Sequence, residues 1–112
     1  MTYFNRASFA PLKSTTPASI GTAYATIGTP LINPAVVLAF FNSTDGSVYV
    51  STNGTDDMLL LAPNSFRVFD IRTNAMNLTN YAFQKGTQFY VKDGPTVGAT
   101  GIFTIEIVQV TE

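Results

Sequence analysis

The side chains that could carry acid–base chemistry in this 112-residue chain are its seven acidic residues, its lysines and its tyrosines, because it contains no histidine and no cysteine. Without histidine there is no imidazole base that titrates near neutral pH. Without cysteine there is no thiolate nucleophile, no thiolate metal site and no disulfide framework. Hydrolytic chemistry would therefore depend on a pair of carboxylates that flank one bond.

The carboxylates do not form such a pair in the sequence. Asp56 and Asp57 are adjacent and point to opposite sides of an extended chain. Asp45 and Asp93 precede glycines in turns, where an aspartate usually binds the backbone of its own turn. Glu106 alternates with apolar residues, so we expect it to face solvent or a partner. We therefore expect no catalytic site and no enzymatic activity.

Two kinds of binding site remain open. Asn53, Asp56 and Asp57 could offer hard oxygen ligands to calcium, but the spacing of an EF-hand is absent and a solvated loop explains them better. We therefore expect no metal and no cofactor. Four tyrosines could stack on sugar rings, although aromatic residues are also favoured in strands for packing, and the chain has no tryptophan. These tyrosines are Tyr24, Tyr49, Tyr81 and Tyr90. A carbohydrate-binding module therefore stays as an alternative.

The composition restricts the possible partners. Charged residues make up 12% of the chain, which is about half of the usual fraction. Either part of the surface is covered by other protein, or serine, threonine and asparagine solvate it. The net charge of −1 and the scattered cations argue against nucleic-acid binding. The apolar run at residues 35–41 is too short to cross a membrane, and we expect no signal peptide at the N-terminus.

Short apolar runs separated by turn signals predict an all-β fold. Asp45-Gly46 and Asn53-Gly54 are the strongest turn signals, since these residues tolerate positive φ. About seven strands are expected, at residues 18–27, 35–42, 47–52, 58–61, 65–72, 87–92 and 102–110. Their spacing favours an antiparallel β-sandwich or a jelly-roll-like barrel. The expected core side chains are Val37, Phe40, Val48, Val50, Leu60, Phe66, Val68, Phe89, Val91, Phe103 and Ile105.

Residues 1–17 show no clean period and contain two prolines. This pattern predicts an extended N-terminal arm, followed by a β-sandwich domain at residues 18–112. Tyr3, Phe4 and Phe9 are the expected partner-binding anchors of the arm, because aromatic side chains bury the most apolar area per residue. We expect residues 18–112 to fold without the arm and to bind a partner more weakly.

Three segments together resemble a known class of protein. They are residues 42–57, which contain Val48–Ser51 and the polar turn at 53–56, then residues 65–71, and last residues 84–92. This order resembles the small β-sandwich virion structural proteins of tailed bacteriophages, over about residues 36–110. The resemblance implies a capsid decoration (cement) protein, or alternatively a head–tail neck or adaptor ring component (a head–tail connector).

The same resemblance implies partners and a location. A protein of this kind binds other virion proteins, either the major capsid protein or neck proteins, and also its own copies as a homo-oligomer. It resides in the virion and is assembled in the host cytoplasm. Such a protein has no catalytic residues, and from the composition we also expect no cofactor, no nucleic-acid partner and no membrane partner.

Overall fold

The computed structural model describes residues 6–71 and 82–111, which form nine β-strands. They are β1 (Arg6–Phe9), β2 (Lys13–Thr15), β3 (Ala25–Ile27), β4 (Ala35–Asn42), β5 (Val48–Ser51), β6 (Leu59–Leu61), β7 (Ser65–Asp70), β8 (Phe89–Asp93) and β9 (Phe103–Thr111). Within the described part of the chain the only helical element is a 3-10 turn at Pro17–Ser19. None of the described residues form a helix long and apolar enough to span a membrane.

The strands form two antiparallel sheets, in agreement with the predicted all-β class. In sheet A the order is β1-β9-β4-β7, and β2 also pairs with β9. In sheet B the order is β3-β8-β5-β6. Buried side chains from both sheets form one hydrophobic cluster between them, as in a β-sandwich.

Strand β4 lies inside sheet A because it can be buried on both faces. Its apolar run pairs with β9 on one side and β7 on the other, with a register shift between Ala35 and Val37. Strand β9 instead alternates: Phe103, Ile105 and Ile107 are buried, whereas the residues between them point away from the core. The two patterns differ because the outward positions of β4 are the apolar Val37, Ala39 and Phe41, whereas those of β9 include the polar Thr104 and Glu106.

The prediction of the core is confirmed for most residues and is wrong for one group of them. Phe40, Val48, Val50, Phe89, Val91, Phe103 and Ile105 are each at most 2% exposed. Leu60, Phe66 and Val68 are exposed instead, and Val37 is half-buried. Leu60 is exposed because successive side chains of a strand point to opposite faces. Its neighbours on β6, the buried Leu61 and the half-buried Leu59, occupy the core face.

Strand β7 resolves an ambiguity in the sequence. Phe66 and Val68 share one face of the predicted strand, whereas Phe69 and Ile71 share the other. This pattern indicates either burial on both faces or a bulge that changes the register. Its register with β4 runs without a shift from Val37↔Asp70 to Asn42↔Ser65, so there is no bulge. Phe69 packs against the core, and the alternation therefore turns Phe66 and Val68 to the outside.

The extended N-terminal arm is not confirmed. Arg6–Phe9 pairs with the end of β9, and Lys13–Thr15 pairs with its beginning, so both segments are strands of sheet A. These two strands account for the difference from the expected seven. Tyr3 and Phe4 lie outside the described residues, and Phe9 is 85% exposed.

The first strand expected after the arm is shorter than predicted. Of residues 18–27 only Ala25–Ile27 forms a strand, and it pairs with β8. Pro17 begins the 3-10 turn, because its fixed φ suits the first position of a helical turn. Ile20 then ends that turn and is buried in the core cluster.

A buried asparagine links the two sheets at one end. Asn42, at the end of β4 in sheet A, is 1% exposed. Its amide nitrogen lies 2.9 Å from the carbonyl oxygen of Gly46, 3.2 Å from that of Leu61 and 3.0 Å from that of Ala62. Its amide oxygen accepts hydrogen bonds from the backbone and hydroxyl of Thr44. The two sheets are thus joined by polar contacts as well as by the apolar core.

Candidate interaction surface

The outer face of sheet A is unusually apolar. Directly opposite residues of an antiparallel ladder share one face, so the register defines this surface row by row. One row contains Phe66, Phe41 and Thr104, and the next contains Val68, Ala39 and Glu106. A third row contains Asp70, Val37, Val108 and Phe9. We call these ten residues the sheet A face.

Its large apolar side chains are open to solvent. Phe9 is 85% exposed, Phe66 is 65% exposed and Val68 is 53% exposed. The rings of Phe41 and Phe66 stack with centroids 5.9 Å apart, which holds Phe66 in place. Strand spacing and rise give the three rows and four strands a flat area on the order of 300 Å². Part of this area is polar, and the apolar remainder does not exceed the largest patch of an ordinary monomer, a kind of patch that is often functional.

The charges of the sheet A face are acidic. Glu106 is exposed in the middle row, beside Ala39. Asp70 is exposed at the end of β7, in the row of Val37. No lysine or arginine belongs to these rows. Among the described residues, this surface therefore combines apolar area with negative charge.

The outer face of sheet B differs from that of sheet A in its chemistry, because it carries tyrosines and an ion-paired lysine side chain. Lys92 on β8 lies opposite Tyr49 on β5, and its ammonium is 5.4 Å from that ring and 4.7 Å from the ring of Tyr24. It also forms a 3.0 Å ion pair with Asp57. The hydroxyl of Tyr24 donates to the same carboxylate at 2.5 Å. We call Tyr24, Tyr49, Asp57 and Lys92 the sheet B cluster.

The electrostatics of this cluster follow from its contacts. Hydrogen bonds from Tyr24 and then from Lys92 hold the pKa of Asp57 below its usual range. Partial burial, followed by the hydrogen bond to Asp57, raises the pKa of Tyr24. Each charged group of the sheet B cluster thus has a partner within the cluster, which ties the loop at residues 52–57 to the sheet.

The polar atoms of that loop form hydrogen bonds with one another. The side-chain oxygen of Asn53 accepts from the backbone N–H groups of Thr55 and Asp56, at 2.8 and 2.9 Å. The amide nitrogen of Asn53 donates to the carboxylate of Asp56 at 2.7 Å. Among the described residues no three acidic, histidine or cysteine side chains lie together as metal ligands would. The expectation that the chain binds no metal and no cofactor stays a prediction.

Three of the four tyrosines considered as sugar platforms share one sheet. Tyr90 lies on β8 opposite Ser51, on the same side of sheet B as Tyr49. Gly54 approaches its ring so closely that a Cβ there would be 3.4 Å from it. Tyr24 belongs to the sheet B cluster, and Tyr81 lies outside the described residues. The structure thus gathers Tyr24, Tyr49 and Tyr90 on one surface.

The turn aspartate at position 45 has a role that its sequence context did not suggest. One oxygen of Asp45 accepts from the backbone N–H groups of Ala99 and Thr100, at 2.7 and 3.0 Å. These partners lie 54 and 55 residues away, not within its own turn. The two hydrogen bonds lower the pKa of Asp45. The carboxylate of Asp45 thus joins two loops. The expectation of no catalytic site stays a prediction.

Sequence reasoning named Phe9 as a partner-binding anchor but missed Phe66 and Val68 of the sheet A face. Phe66 and Val68 were assigned to the core, and no local signal corrects this, because their outward direction follows from the long-range packing of Phe69 on the core. No protein-family model, no curated protein and no solved structure matches this chain.

Proposed function

We propose that this chain is a structural protein of a larger assembly that docks through the sheet A face. The most specific form of the proposal is a bacteriophage virion protein, namely a capsid decoration protein that binds the shell and its own copies. The observation that carries it is the exposure of Phe9, Phe66 and Val68 on one face of sheet A. The extended arm and the jelly-roll-like arrangement also remain proposals.

Physical arguments support docking at this face. Burial of apolar surface contributes about 25 cal/mol for each Å², and exposed phenylalanines are expensive to leave in water. The low charge of the chain, 12% of its residues, suits a surface that is covered by other protein. A modest contact repeated over many copies would stabilise a shell by multivalency.

Co-sedimentation tests this proposal. The purified chain is mixed with capsid shells assembled without it, and the bound fraction is measured against concentration. Phe66→Ser combined with Val68→Ser should weaken binding by at least about tenfold, since the lost side chains are apolar anchors. Leu60→Ser, which removes an exposed apolar side chain from sheet B, serves as the control and should bind normally. Absence of binding by the wild-type chain contradicts the proposal.

The neck or adaptor ring remains an alternative within the same class. A reconstruction of the particle separates the two, because a decoration protein occupies many lattice sites whereas a neck component occupies one ring.

A carbohydrate-binding module is a second candidate, and the gathering of Tyr24, Tyr49 and Tyr90 on one side of sheet B favours it. Tyrosine rings offer an apolar body and a polar hydroxyl, which suits sugars. The function would be supported if the wild-type chain binds a glycan array, the Tyr49→Ala variant does not, and the Phe66→Ala variant binds normally. A blank array would contradict it.

A further inference from the structure

A cavity of about 240 Å³ lies between the two sheets. Sheet A contributes Leu38, Phe40 and Phe69 to its lining, and sheet B contributes Val50, Leu59 and Phe89. Among the described residues, Leu59 of the edge strand β6 and the neighbouring Met58 line one side of it.

The lining of the cavity is almost wholly apolar. Its polar side chains are Ser51 and Thr52. The hydroxyl of Ser51 donates to Asn53 and accepts from the backbone N–H groups of Asn53 and Gly54. The hydroxyl of Thr52 lies 3.3 Å from the sulfur of Met58. A group with hydrogen-bonding atoms would lose its water here without replacement.

The size and shape of the cavity indicate its ligand. An enclosed apolar cavity of about 150 Å³ is enough to bind benzene in a well-packed protein, and the present cavity is larger but opens to solvent on one side. Phe40 packs edge-to-face with Phe69 and with Phe89, at centroid distances of 5.9 Å in both pairs. A further ring inserted beside them could continue this edge-to-face arrangement. Met58 is 47% exposed at the rim, so its flexible side chain marks the way in.

We propose that this cavity binds a single aromatic ring without hydrogen-bonding groups, either unsubstituted or with a short alkyl substituent. The site is separate from the sheet A face, because its lining residues point between the sheets. The inference therefore goes beyond the proposed function and stands or falls independently of it.

Titration of the full chain with toluene tests the proposal, with methyl ¹H–¹³C NMR as the readout. The methyl signals of Leu38, Val50 and Leu59 should shift and saturate, while those of exposed methyl groups such as Val97 should not. Phenol has the same ring with a hydroxyl, and should bind at least about tenfold more weakly because its hydroxyl would exchange water for an almost wholly apolar lining.

Two neighbouring leucines provide a matched pair of variants. Leu59→Phe adds volume at the lining and should abolish the saturable shifts of Leu38 and Val50. Leu60→Phe adds the same volume on the exposed side of β6 and should leave toluene binding unchanged. A thermal melt checks that both variants fold.

A third variant keeps the test decisive if Leu59→Phe does not fold. Leu59→Ala enlarges the cavity and should shift its preference toward n-butylbenzene relative to toluene by at least about threefold. Toluene that leaves the lining methyl signals unmoved would overturn the proposal. Equal weakening of toluene binding by Leu59→Phe and Leu60→Phe would also overturn it, as would phenol that binds as tightly as toluene.

Discussion

Asn42 illustrates how one polar side chain can be indispensable in an apolar core. It is 1% exposed, and its amide group contacts carbonyl oxygens in the turn after β4 and at the end of β6. A buried carbonyl that loses its donor has no water to replace it. Asparagine suits this buried position because both its amide nitrogen and its amide oxygen have hydrogen-bonding partners.

Replacing Asn42 by alanine should therefore lower the free energy of unfolding by about 2–4 kcal/mol, through the cavity and the lost hydrogen bonds together. Urea unfolding measures the change. Ser43→Ala is the control, because Ser43 is exposed, and it should cost less than about 0.5 kcal/mol. Equal costs would mean that the asparagine contacts contribute little.

Asp45 makes stability depend on acid pH. The N–H groups of Ala99 and Thr100 lower its pKa in the folded chain below the value of about 3.9 expected when unfolded. A lowered folded pKa gives stability that is present above the unfolded pKa and is lost as pH falls through the folded pKa.

Asp45→Asn removes this dependence. The urea midpoint of the wild type should exceed that of the variant at about pH 7, and the difference should shrink below about pH 4 as the wild-type carboxylate is protonated. A difference that stays constant down to about pH 2.5 would show that ionisation of Asp45 does not stabilise the fold.

Two phenylalanines on different sides of the sandwich test the assignment of core and surface. Phe89 is 1% exposed, and Phe89→Ala should cost about 3–5 kcal/mol in unfolding free energy. Phe66 is 65% exposed, and Phe66→Ala should cost less than about 1 kcal/mol. Similar costs for the two substitutions, measured by urea unfolding, would contradict the exposure of the sheet A face.

At the scale of the elements, the strands could be predicted more easily than the direction of their side chains. The turn signals and apolar runs located β4, β5, β8 and β9 closely. For β7, periodicity favours Phe66 and Val68 as the core side, because Phe69 alternates with the polar Ser65 and Arg67, yet Phe69 is the residue that faces the core. The decision comes from long-range packing, namely the contact of Phe69 with Phe40.

Strands β1 and β2 could not be predicted for a related reason. They are four and three residues long, and each pairs with β9, about a hundred residues further along the chain. Local composition, with its prolines and mixed polarity, therefore indicated an arm. A short edge strand takes its stability from the partner strand rather than from its own sequence.

The pairing of β1 and β2 changes the result expected for a truncation. Deleting residues 1–17 removes both strands that pair with one side of β9, and should lower the free energy of unfolding on the order of 3–6 kcal/mol. A thermal melt measures the loss. Deleting residues 1–5 is the matched control, because β1 and β2 are kept. An unchanged melt after the longer deletion would instead support a domain boundary at residue 17.

At the scale of the whole molecule, the two outer faces differ in chemistry. The sheet B cluster satisfies its charges internally, through the contacts of Lys92, Tyr24 and Asp57. The sheet A face exposes large apolar side chains around the single carboxylate of Glu106 in its middle row. A partner that covers this face should be apolar and should bring a basic group to Glu106, since a buried unpaired carboxylate is costly.

The central claim, that the sheet A face docks on an assembly, is tested most directly by an electron-microscopy reconstruction of the assembled particle. The account predicts that Phe9, Phe66 and Val68 lie within about 4.5 Å of apolar atoms of a neighbouring subunit. A reconstruction in which the chain is bound but turns these three side chains toward solvent would contradict the claim, as would a particle without the chain.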